Sequence, residues 1–547
     1  MIILFITGLA AIIWLVWIVR AGLVAARIYQ IEEYEASRFL AWGRQRAWLW
    51  PAATLVAGRT ALIFGLFTLA LPINLQRTDI GVGWLVGAIL LHILWRPLPA
   101  KKALVYTPRM RRILGGGGAL TLLITCALVI LILTLPTLVS TIIAVLSFLL
   151  APGLVLFLII GGNVLMGPVE AQIRRGFVRC ARSRITTYKP FVIGITGSYG
   201  KTSTKNIMAQ LLALHKETLP TPKSFNTLMG ITRAINENLE PKHELFLVEM
   251  DAYDIGEIAT MCDLVEPQLA VITSVGPQHL ERFGSIERIA DALYELVASL
   301  PTSSPAVIYG GESTTTLLAE RSARAGYRVV RYGLENEQGG PLDVVVTDIV
   351  VDERASHFTW RWASEGLEFR VSIPLLGQHN ILNVSAALAV VHLLNLPVAQ
   401  AVHDAVRLEP AQHRLQLMPS KGGITVIDDS YNANPVGVHN GLDVLAQMPG
   451  HAKILVTPGM VELGSVEETE NKRFGAHAAQ VCNQVVLVGT QQTKPIFAGL
   501  KESGFSPEHI HLVNTLEEVT TTLSQIAKPG DVVLFANDLP DTYLELK

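Results

Sequence analysis

From Ala119 to Val169 the chain runs for 51 residues without one charged side chain. Crossing a bilayer takes about 20 apolar residues, so this stretch has room for two crossings. Pro136 and Pro152 divide it. One span is expected near 119–135 and a longer one near 137–165, kinked at Pro152-Gly153, with two short helices as the alternative to the second. Upstream, Ile2–Val19, Thr60–Gln76 and Ile80–Trp95 are three further apolar runs. Five spans result, and residues 1–168 read as an α-helical transmembrane domain.

Charge sets the expected orientation. The net charge of −2 conceals a division. Residues 1–190 hold 19 Lys+Arg against 5 Asp+Glu, whereas the remainder holds 25 against 41. Basic residues collect in three places: Arg27, Arg38, Arg44 and Arg46; then Arg96, Lys101, Lys102, Arg109, Arg111 and Arg112; then Arg174, Arg175, Arg179, Arg182 and Arg184. Cytoplasmic loops carry such excess. Five spans with the N-terminus outside place all three inside, together with the acidic rear of the chain. Trp14, Trp17, Trp48, Trp50 and Trp95 are candidate interfacial anchors or lipid-facing bulk, and Gly115–Gly118 is expected to be a flexible connector. Asn163 is a polar residue inside a span, and Arg59 lies at the edge of one. Four scattered cysteines (Cys126, Cys180, Cys262, Cys482) offer no disulfide framework or zinc cage.

A second organisation begins at residue 191. Phe191–Thr196 is a short apolar run, read as a buried strand. Gly197-Ser198-Tyr199-Gly200-Lys201-Thr202-Ser203 follows, and then a helical pattern. Strand, glycine-rich turn, Lys-Thr and helix make a phosphate loop: backbone N–H groups and the helix N-terminus close on phosphate oxygens. Lys201 would reach the outer phosphates and Thr202 would ligate Mg²⁺. The general pattern asks for glycine at 195, where this chain has Ile195. FLVEM (246–250) ends near Glu249, and LAVIT (269–273) leads to Gly276-Pro277-Gln278-His279. Ligands collect beyond the carboxyl ends of strands in open α/β sheets, so Glu249 and His279 are candidates for a metal on the nucleotide. Strand-like runs between 305 and 375 are expected to form a peripheral β region. From Leu415 onward strands and helices alternate (ITVIDD, KILVTPG, QVVLVG, HIHLV, DVVLFAN), as in a doubly wound sheet.

ITGSYGKTSTK resembles the phosphate loop of the Mur ligases, T-G-[TS]-x-G-K-[TS], which accounts for Ile195. The resemblance continues through VEM (248–250), ITSVGPQHLERFGS (272–285), GQHNILNVSAAL (377–388), His413-Arg414, DDSYNANP (428–435) and GMVELG (459–464). It covers about residues 188–547, and DDSYNANP is most similar to the branch that adds D-alanyl-D-alanine to a muramyl tripeptide. It implies an α/β fold in two parts, a P-loop central ATP-binding domain over 185–414 and a C-terminal, Rossmann-like domain over 415–547. The implied activity is ATP-dependent amide ligation through an acyl phosphate, with ATP and Mg²⁺ as cofactors.

The implied roles follow by position. Gly197, Ser198, Gly200, Lys201, Thr202 and Ser203 hold the phosphates. Thr202, Glu249 and His279 meet Mg²⁺. Asn380 and Asn383 face the adenine side, Arg414 reaches a phosphate, and Asp429 holds the ribose with Ser430, Tyr431 and Asn434 beside it. Lys201, Glu249, His279 and Arg414 carry the catalysis. Glu462 and Asn537-Asp538 sit at strand ends suited to the incoming amine.

Two departures stand out. Where many family members place a carbamylated lysine that bridges to a second Mg²⁺, this chain has Leu293. Only about 20 residues separate the last span from the phosphate-loop strand, so the family's UDP-sugar domain has no room there. The implied partners are a muramyl-peptide-like carboxylate acceptor, lipid-linked in one reading, an amino acid or dipeptide, and the membrane, with no nucleic acid. A poly-γ-glutamate-type ligase, an ATP-driven transporter and an idle scaffold are the alternatives. A transporter has no use for H-N-x-x-N or DDSYNANP, and a scaffold none for Gly200-Lys201-Thr202.

Overall fold

The computed structural model describes the chain except residues 1, 33, 46–51, 69–72, 96–102, 224, 278–279, 338–339, 352–354, 411–413, 419–421, 431–433, 462 and 538–547. It forms two compact units that divide between Arg174 and Arg175.

The first unit is helical. Its elements are α1 (Ile2–Ile31), α2 (Ala36–Gln45), α3 (Ala52–Thr68), α4 (Ile73–Leu94), α5 (Pro108–Thr134), α6 (Thr137–Leu149) and the first part of α7 (Ala151–Tyr188). Three of these helices, α1, α5 and α7, are long and apolar enough to cross a membrane. The apolar stretches Thr54–Phe64, Thr78–Leu94 and Thr137–Leu149 are shorter. The expected fifth span is therefore two helices. The break falls at Leu150, and Pro152 lies in the first turn of α7, where its missing N–H leaves no helical bond unmade.

Two other expectations are corrected here. Trp14, Trp17 and Trp95 are buried inside the bundle instead of facing an interface; Trp14 Nε1 donates to Ser147 O at 3.3 Å. Trp48 and Trp50 lie outside the described residues. Gly115–Gly118 is not a connector but a part of α5. A Cβ on Gly116 would sit 3.1 Å from Gly162 O, and one on Gly117 would sit 3.0 Å from Leu158 O. Small residues let apolar helices pack backbone to backbone, and this is the use of the run. Asn163 is satisfied within the bundle, donating to the Tyr29 hydroxyl at 2.9 Å.

The second unit holds two sheets. The larger follows the order β2-β3-β1-β4-β5-β6-β7-β8-β9. Its strands are β1 (Phe191–Thr196), β2 (Thr218–Pro220), β3 (Leu245–Glu249), β4 (Leu269–Ile272), β5 (Pro305–Tyr309), β6 (Arg328–Leu334), β7 (Val344–Val351), β8 (Ser356–Trp362) and β9 (Leu367–Ile373). The pairs from β2 through β7 are parallel, and β8 and β9 close the edge in antiparallel fashion. The runs between 305 and 375 extend the central sheet to its far edge, so the peripheral β region expected there is the outer part of this sheet. Helices α8 (Lys201–Leu212), α9 (Leu228–Asn238), α10 (Glu257–Val265), α11 (Leu280–Phe283), α12 (Ile286–Ala298), α13 (Ser313–Arg324), α14 (Gln378–Leu393) and α15 (Val398–Asp404) complete this part. β3 and β4 are buried at every position. That fits their unbroken apolar runs, since a parallel strand covered on both faces needs no polar alternation.

The smaller sheet has the order β10-β11-β15-β12-β13-β14, with β10 alone antiparallel. It comprises β10 (Gln416–Met418), β11 (Thr425–Asp429), β12 (Lys453–Thr457), β13 (Gln484–Val488), β14 (Ile510–Val513) and β15 (Val532–Ala536), with α16 (Pro435–Gln447), α17 (Glu467–Val481), α18 (Lys494–Glu502) and α19 (Leu516–Ile526). The five strands read from Leu415 onward are all present, and β10, which precedes them and pairs with β11 without an intervening helix, was not among them.

The end of α7 belongs to this second unit. Ala181 and Ile185 are buried in the cluster that includes Ile231, Ile235 and Val265, with Val178 and Tyr188 against it. Arg182 pairs with Asp263 at 2.6 Å, and Asn236 donates to Phe177 O at 3.0 Å. A fragment beginning at Arg175 is therefore expected to fold as a stable protein, whereas one beginning at Lys189 loses this packing. Burying an aliphatic side chain contributes about 1.5–3 kcal/mol, so the shorter fragment is expected to be several kcal/mol less stable in urea. Equal midpoints and slopes for the two fragments would show that the helix adds nothing.

Candidate nucleotide site

The site forms where β1 ends between β3 and β4. The chain turns sharply at Gly197 (φ +141°) and Gly200 (φ +81°) before entering α8. Both glycines are required for space as well as for conformation. A Cβ at 197 would strike Thr273 Oγ1, and one at 200 would come within 2.9 Å of Asn383 Oδ1. The segment after β4 staples the loop from the side: Ser198 N donates to Ser274 O at 2.7 Å. Tyr199 N donates to Ser274 Oγ at 3.1 Å, and Gly276 N to Ser198 Oγ at 2.9 Å. Val275 N points the other way, to Glu312 Oε2 at 3.0 Å. No side chain caps α8 at Gly200, so its first-turn N–H groups face the cavity as an anion site.

The cavity has a volume of about 260 Å³ and is lined by Ser198, Tyr199, Gly200, Lys201, Thr202 and Ser203 on the loop side. Gly197 lies behind this wall. Lys201 folds back across the loop, donating to Gly197 O at 2.6 Å and pairing with Asp251 Oδ1 at 3.2 Å. Thr202 Oγ1 donates to Glu249 Oε1 at 2.9 Å. The other oxygen of Glu249, Oε2, accepts from Lys205 Nζ at 2.9 Å, both side chains being 1% exposed. Asn226 Nδ2 donates to Glu249 Oε1 at 3.3 Å and approaches Asp251 Oδ2 at 3.5 Å.

The donors fit a magnesium ion shared with a nucleotide. Thr202 and Glu249 offer hard oxygens side by side at the start of the phosphate-loop helix. Among the described residues no group of three His, Cys, Asp or Glu side chains forms a metal cage. Magnesium is ordinarily held by one or two protein oxygens, phosphates and water instead of an all-protein cage. His279, assigned to the same ion by resemblance, lies outside the described residues, as do Tyr431, Glu462 and Asp538. Leu293 is buried in an apolar cluster on α12 and does not line the cavity.

The opposite wall comes from the second sheet, its helix α16 and the segment leading to it: Arg414, Leu415, Asp429, Asn434, Val436, Gly437 and Asn440, while His379 and Asn383 reach the cavity from α14 of the first part. Asp429 ends β11 and accepts from Leu415 N at 3.2 Å. Burial pushes its carboxyl up to about 7, against the opposing charge of Arg414. Burial, with Arg414 nearby, pushes His379 down to about 4, so its ring is neutral. Asn434 caps α16, accepting from Gly437 N at 2.8 Å. Ser430 bonds Asp428 Oδ1 at 2.6 Å and does not reach the cavity wall. The two asparagines of H-N-x-x-N share a helix face, Asn383 Nδ2 donating to Asn380 Oδ1 at 3.4 Å, but only one of them lines the cavity. Asn383 lines the cavity and accepts from Thr204 Oγ1 at 2.9 Å. Asn380 turns back to donate to Leu376 O at 2.9 Å, closing the start of α14. Asn537 donates to Gly459 O at 2.6 Å, joining two strand ends of the smaller sheet.

Lys205, Asn226, Asp251, Tyr253, His379 and Asn440 belong to this site or its floor and were not singled out from sequence. Three of them carried a signal. Lys205 follows Lys201 by one helical turn, Asp251 follows Glu249 by two residues, and His379 is the histidine of H-N-x-x-N. The other three reach the cavity from separate elements.

Comparison with known proteins agrees with this geometry. Residues 195–391 match the Mur ligase middle domain, and residues 413–537 match the Mur ligase, glutamate ligase domain. The chain is 29% identical over 349 residues to UDP-N-acetylmuramoyl-tripeptide–D-alanyl-D-alanine ligase of Bacillus subtilis, covering 63% of this chain and 72% of that one. It is 30% identical over 368 residues to the Mycobacterium leprae protein of the same name, covering 63% and 70%. Among solved structures, the MurF ligase from Thermotoga maritima in complex with ADP superposes with a TM-score of 0.59 at 26% identity, covering 68% of this chain and 81% of that one.

The position of Asp429 makes stability depend on pH in a definite direction. Its carboxyl titrates near 7 when folded and near about 3.9 when unfolded. The folded state is therefore favoured at low pH and loses stability as pH rises from about 4 to 7. Asp429→Asn removes that loss. Its gain in melting temperature over wild type, without nucleotide, is expected to be larger at pH 8 than at pH 5. An equal difference at both values would mean that the carboxyl is not raised.

Proposed function

The chain belongs to the Mur ligase family of ATP-dependent, ADP-forming carbon–nitrogen ligases, and on that premise we propose that it joins D-alanyl-D-alanine, or a close analogue, to the terminal carboxylate of a muramyl tripeptide in cell-wall precursor synthesis. The observation that carries this reading is the cavity itself: a phosphate loop on one wall faces Arg414 and Asp429 on the other. Relatives that bear the D-alanyl-D-alanine ligase name support the choice of substrates.

In the proposed reaction the acceptor carboxylate attacks the γ-phosphoryl group, releasing ADP and leaving an acyl phosphate. The amine of the incoming dipeptide then attacks the acyl carbon, and phosphate departs. Bound Mg²⁺ would supply charge neutralisation at the phosphates, held by Thr202 and Glu249. Lys201 leaves Asp251 and Gly197 O to meet the outer phosphates. Arg414 brings a second cation from the far wall, and Asp429 accepts from the ribose. Such chemistry rests on positioning and preorganised charge more than on bond-making by the protein.

The membrane unit bears on the acceptor. We read the chain as a multi-pass inner-membrane protein with its ligase unit on the cytoplasmic side, where ATP is available. Three helices long enough to cross and the three basic segments support this. β1 follows α7 after two residues, so no UDP-sugar domain lies between them. Confinement near a bilayer raises the encounter rate with a lipid-linked carboxylate and does nothing for a soluble one. Basic residues near an anionic surface add about 1 kcal/mol each. A lipid-linked muramyl peptide is accordingly the proposed acceptor.

Two experiments test the reading. Lys201→Ala is expected to fold and to lose ATP-dependent ligation by far more than tenfold, which is about 1.4 kcal/mol of barrier; near-normal product formation would remove the nucleotide assignment. Full-length protein in nanodiscs, given ATP, Mg²⁺ and D-alanyl-D-alanine, is expected to show a higher kcat/KM for a lipid-linked muramyl tripeptide than for the UDP-linked form. Equal values, or a preference for the soluble form, would discard the lipid acceptor and leave the ligase assignment standing.

A further inference from the structure

Beneath the loop lies a buried ion pair of which the reaction above uses only the carboxylate. Lys205 Nζ is 2.9 Å from Glu249 Oε2, and the two side chains are each 1% exposed. A second bond from Lys205 Nζ reaches Lys223 O at 2.6 Å. Lys205 thus joins three elements: α8, the end of β3, and the segment after β2 that carries Asn226. A buried ammonium is costly to desolvate, and a bare buried pair is often no more stable than an apolar replacement. Its presence one helical turn behind the phosphate-loop lysine therefore asks for a use beyond stability.

The geometry supplies one. A free carboxylate rotates and can present either oxygen, or both, to a cation. Here Oε2 is fixed by Lys205, so Oε1 is left beside Thr202 Oγ1 at 2.9 Å and Asn226 Nδ2 at 3.3 Å. Glu249 N is in turn held by Thr221 Oγ1 at 3.2 Å. The backbone and one oxygen are pinned, and one oxygen is aimed at the cavity.

We propose that Lys205 is a positioning residue that fixes Glu249 so that a single carboxylate oxygen, Oε1, meets the divalent cation of the bound nucleotide. The proposal rests on the magnesium–nucleotide reading of the cavity and goes beyond it. Lys205 touches neither nucleotide nor metal; it acts through Glu249. It also opposes metal binding by its own charge, so the sign of the effect on metal affinity decides whether orientation or repulsion dominates.

The test uses full-length protein in detergent with Mn²⁺ as the probe, read by electron paramagnetic resonance in the presence of ADP. Binding of a fluorescent ADP in EDTA is measured alongside. In Lys205→Met, metal-free ADP affinity is expected to stay near wild type, while Mn²⁺ affinity falls by about tenfold or more, the usual cost of losing a partner that orients a metal ligand. Lys205→Arg is expected to recover most of that loss. Unchanged or tighter Mn²⁺ binding in folded Lys205→Met would overturn the proposal. So would a parallel fall in metal-free ADP affinity.

Should Lys205→Met not fold, Lys205→Met/Glu249→Gln removes both buried charges. It is expected to bind Mn²⁺ as weakly as Glu249→Gln alone and no more weakly, because Lys205 has nothing left to orient. A further large loss in the double variant would sink the idea. If wild type binds ADP but no Mn²⁺, the metal reading of the cavity fails instead, and the two failures are distinguished.

Discussion

The nucleotide cavity depends on one steric constraint, the absence of side chains at Gly197 and Gly200. β1 sits between β3 and β4, so the chain leaving it is pressed against the segment after β4 on one side and α14 on the other. Thr273 and Asn383 fill the space that any Cβ would need. Because the loop is this tight, and Ser198 N and Tyr199 N are tied to Ser274, the uncapped start of α8 is left opening on one small volume. Thr202 is thereby brought to Glu249, Lys201 to Asp251 and Lys205 to the rear of Glu249. Parallel strands and the helix that follows β1 bring these groups to the carboxyl ends of the strands, where ligands gather in open α/β sheets.

The floor of the cavity pairs each of its two lysines with a carboxylate. Those pairs differ in burial and in use. Lys205 and Glu249 are sealed from solvent, and separating them would leave an uncompensated charge inside the protein. Lys201 and Asp251 sit at the cavity wall, where an arriving phosphate can take over the lysine. On the proposed reading, one pair fixes a metal ligand and the other is exchanged when nucleotide binds. The opposite wall repeats the theme in weaker form, with Arg414 acting on both Asp429 and His379.

In the helical unit, close backbone approach carries part of the packing. Gly116 and Gly117 face Gly162 and Leu158 across the α5–α7 contact, and the amide of Asn163 finds the Tyr29 hydroxyl. Buried tryptophans fill the remaining volume. Glycine runs and tryptophans are ambiguous in sequence because a flexible connector, an interfacial anchor and a helix contact use the same residues. Which one applies depends on the neighbour that the rest of the chain supplies.

The sequence by itself determined the two-part organisation, since a charge-free stretch of 51 residues and a strand–glycine–lysine–helix run are local patterns with few other uses. It also determined the strand-and-helix alternation of the C-terminal sheet and the placing of Lys201, Thr202 and Glu249 at strand and helix ends. Tertiary structure decided the rest. It joined the runs between 305 and 375 to the central sheet, because strand order is set by pairing between distant segments. It carried α7 into the second unit through Ala181 and Ile185, whose partners lie on other helices. It set Asn380 behind Asn383, from which it accepts, and brought His379 onto the cavity wall, because neighbouring positions on a helix point in different directions. Lys205 was visible only as one turn behind Lys201. That it closes on Glu249, 44 residues further along the chain, follows from where β3 ends beside α8.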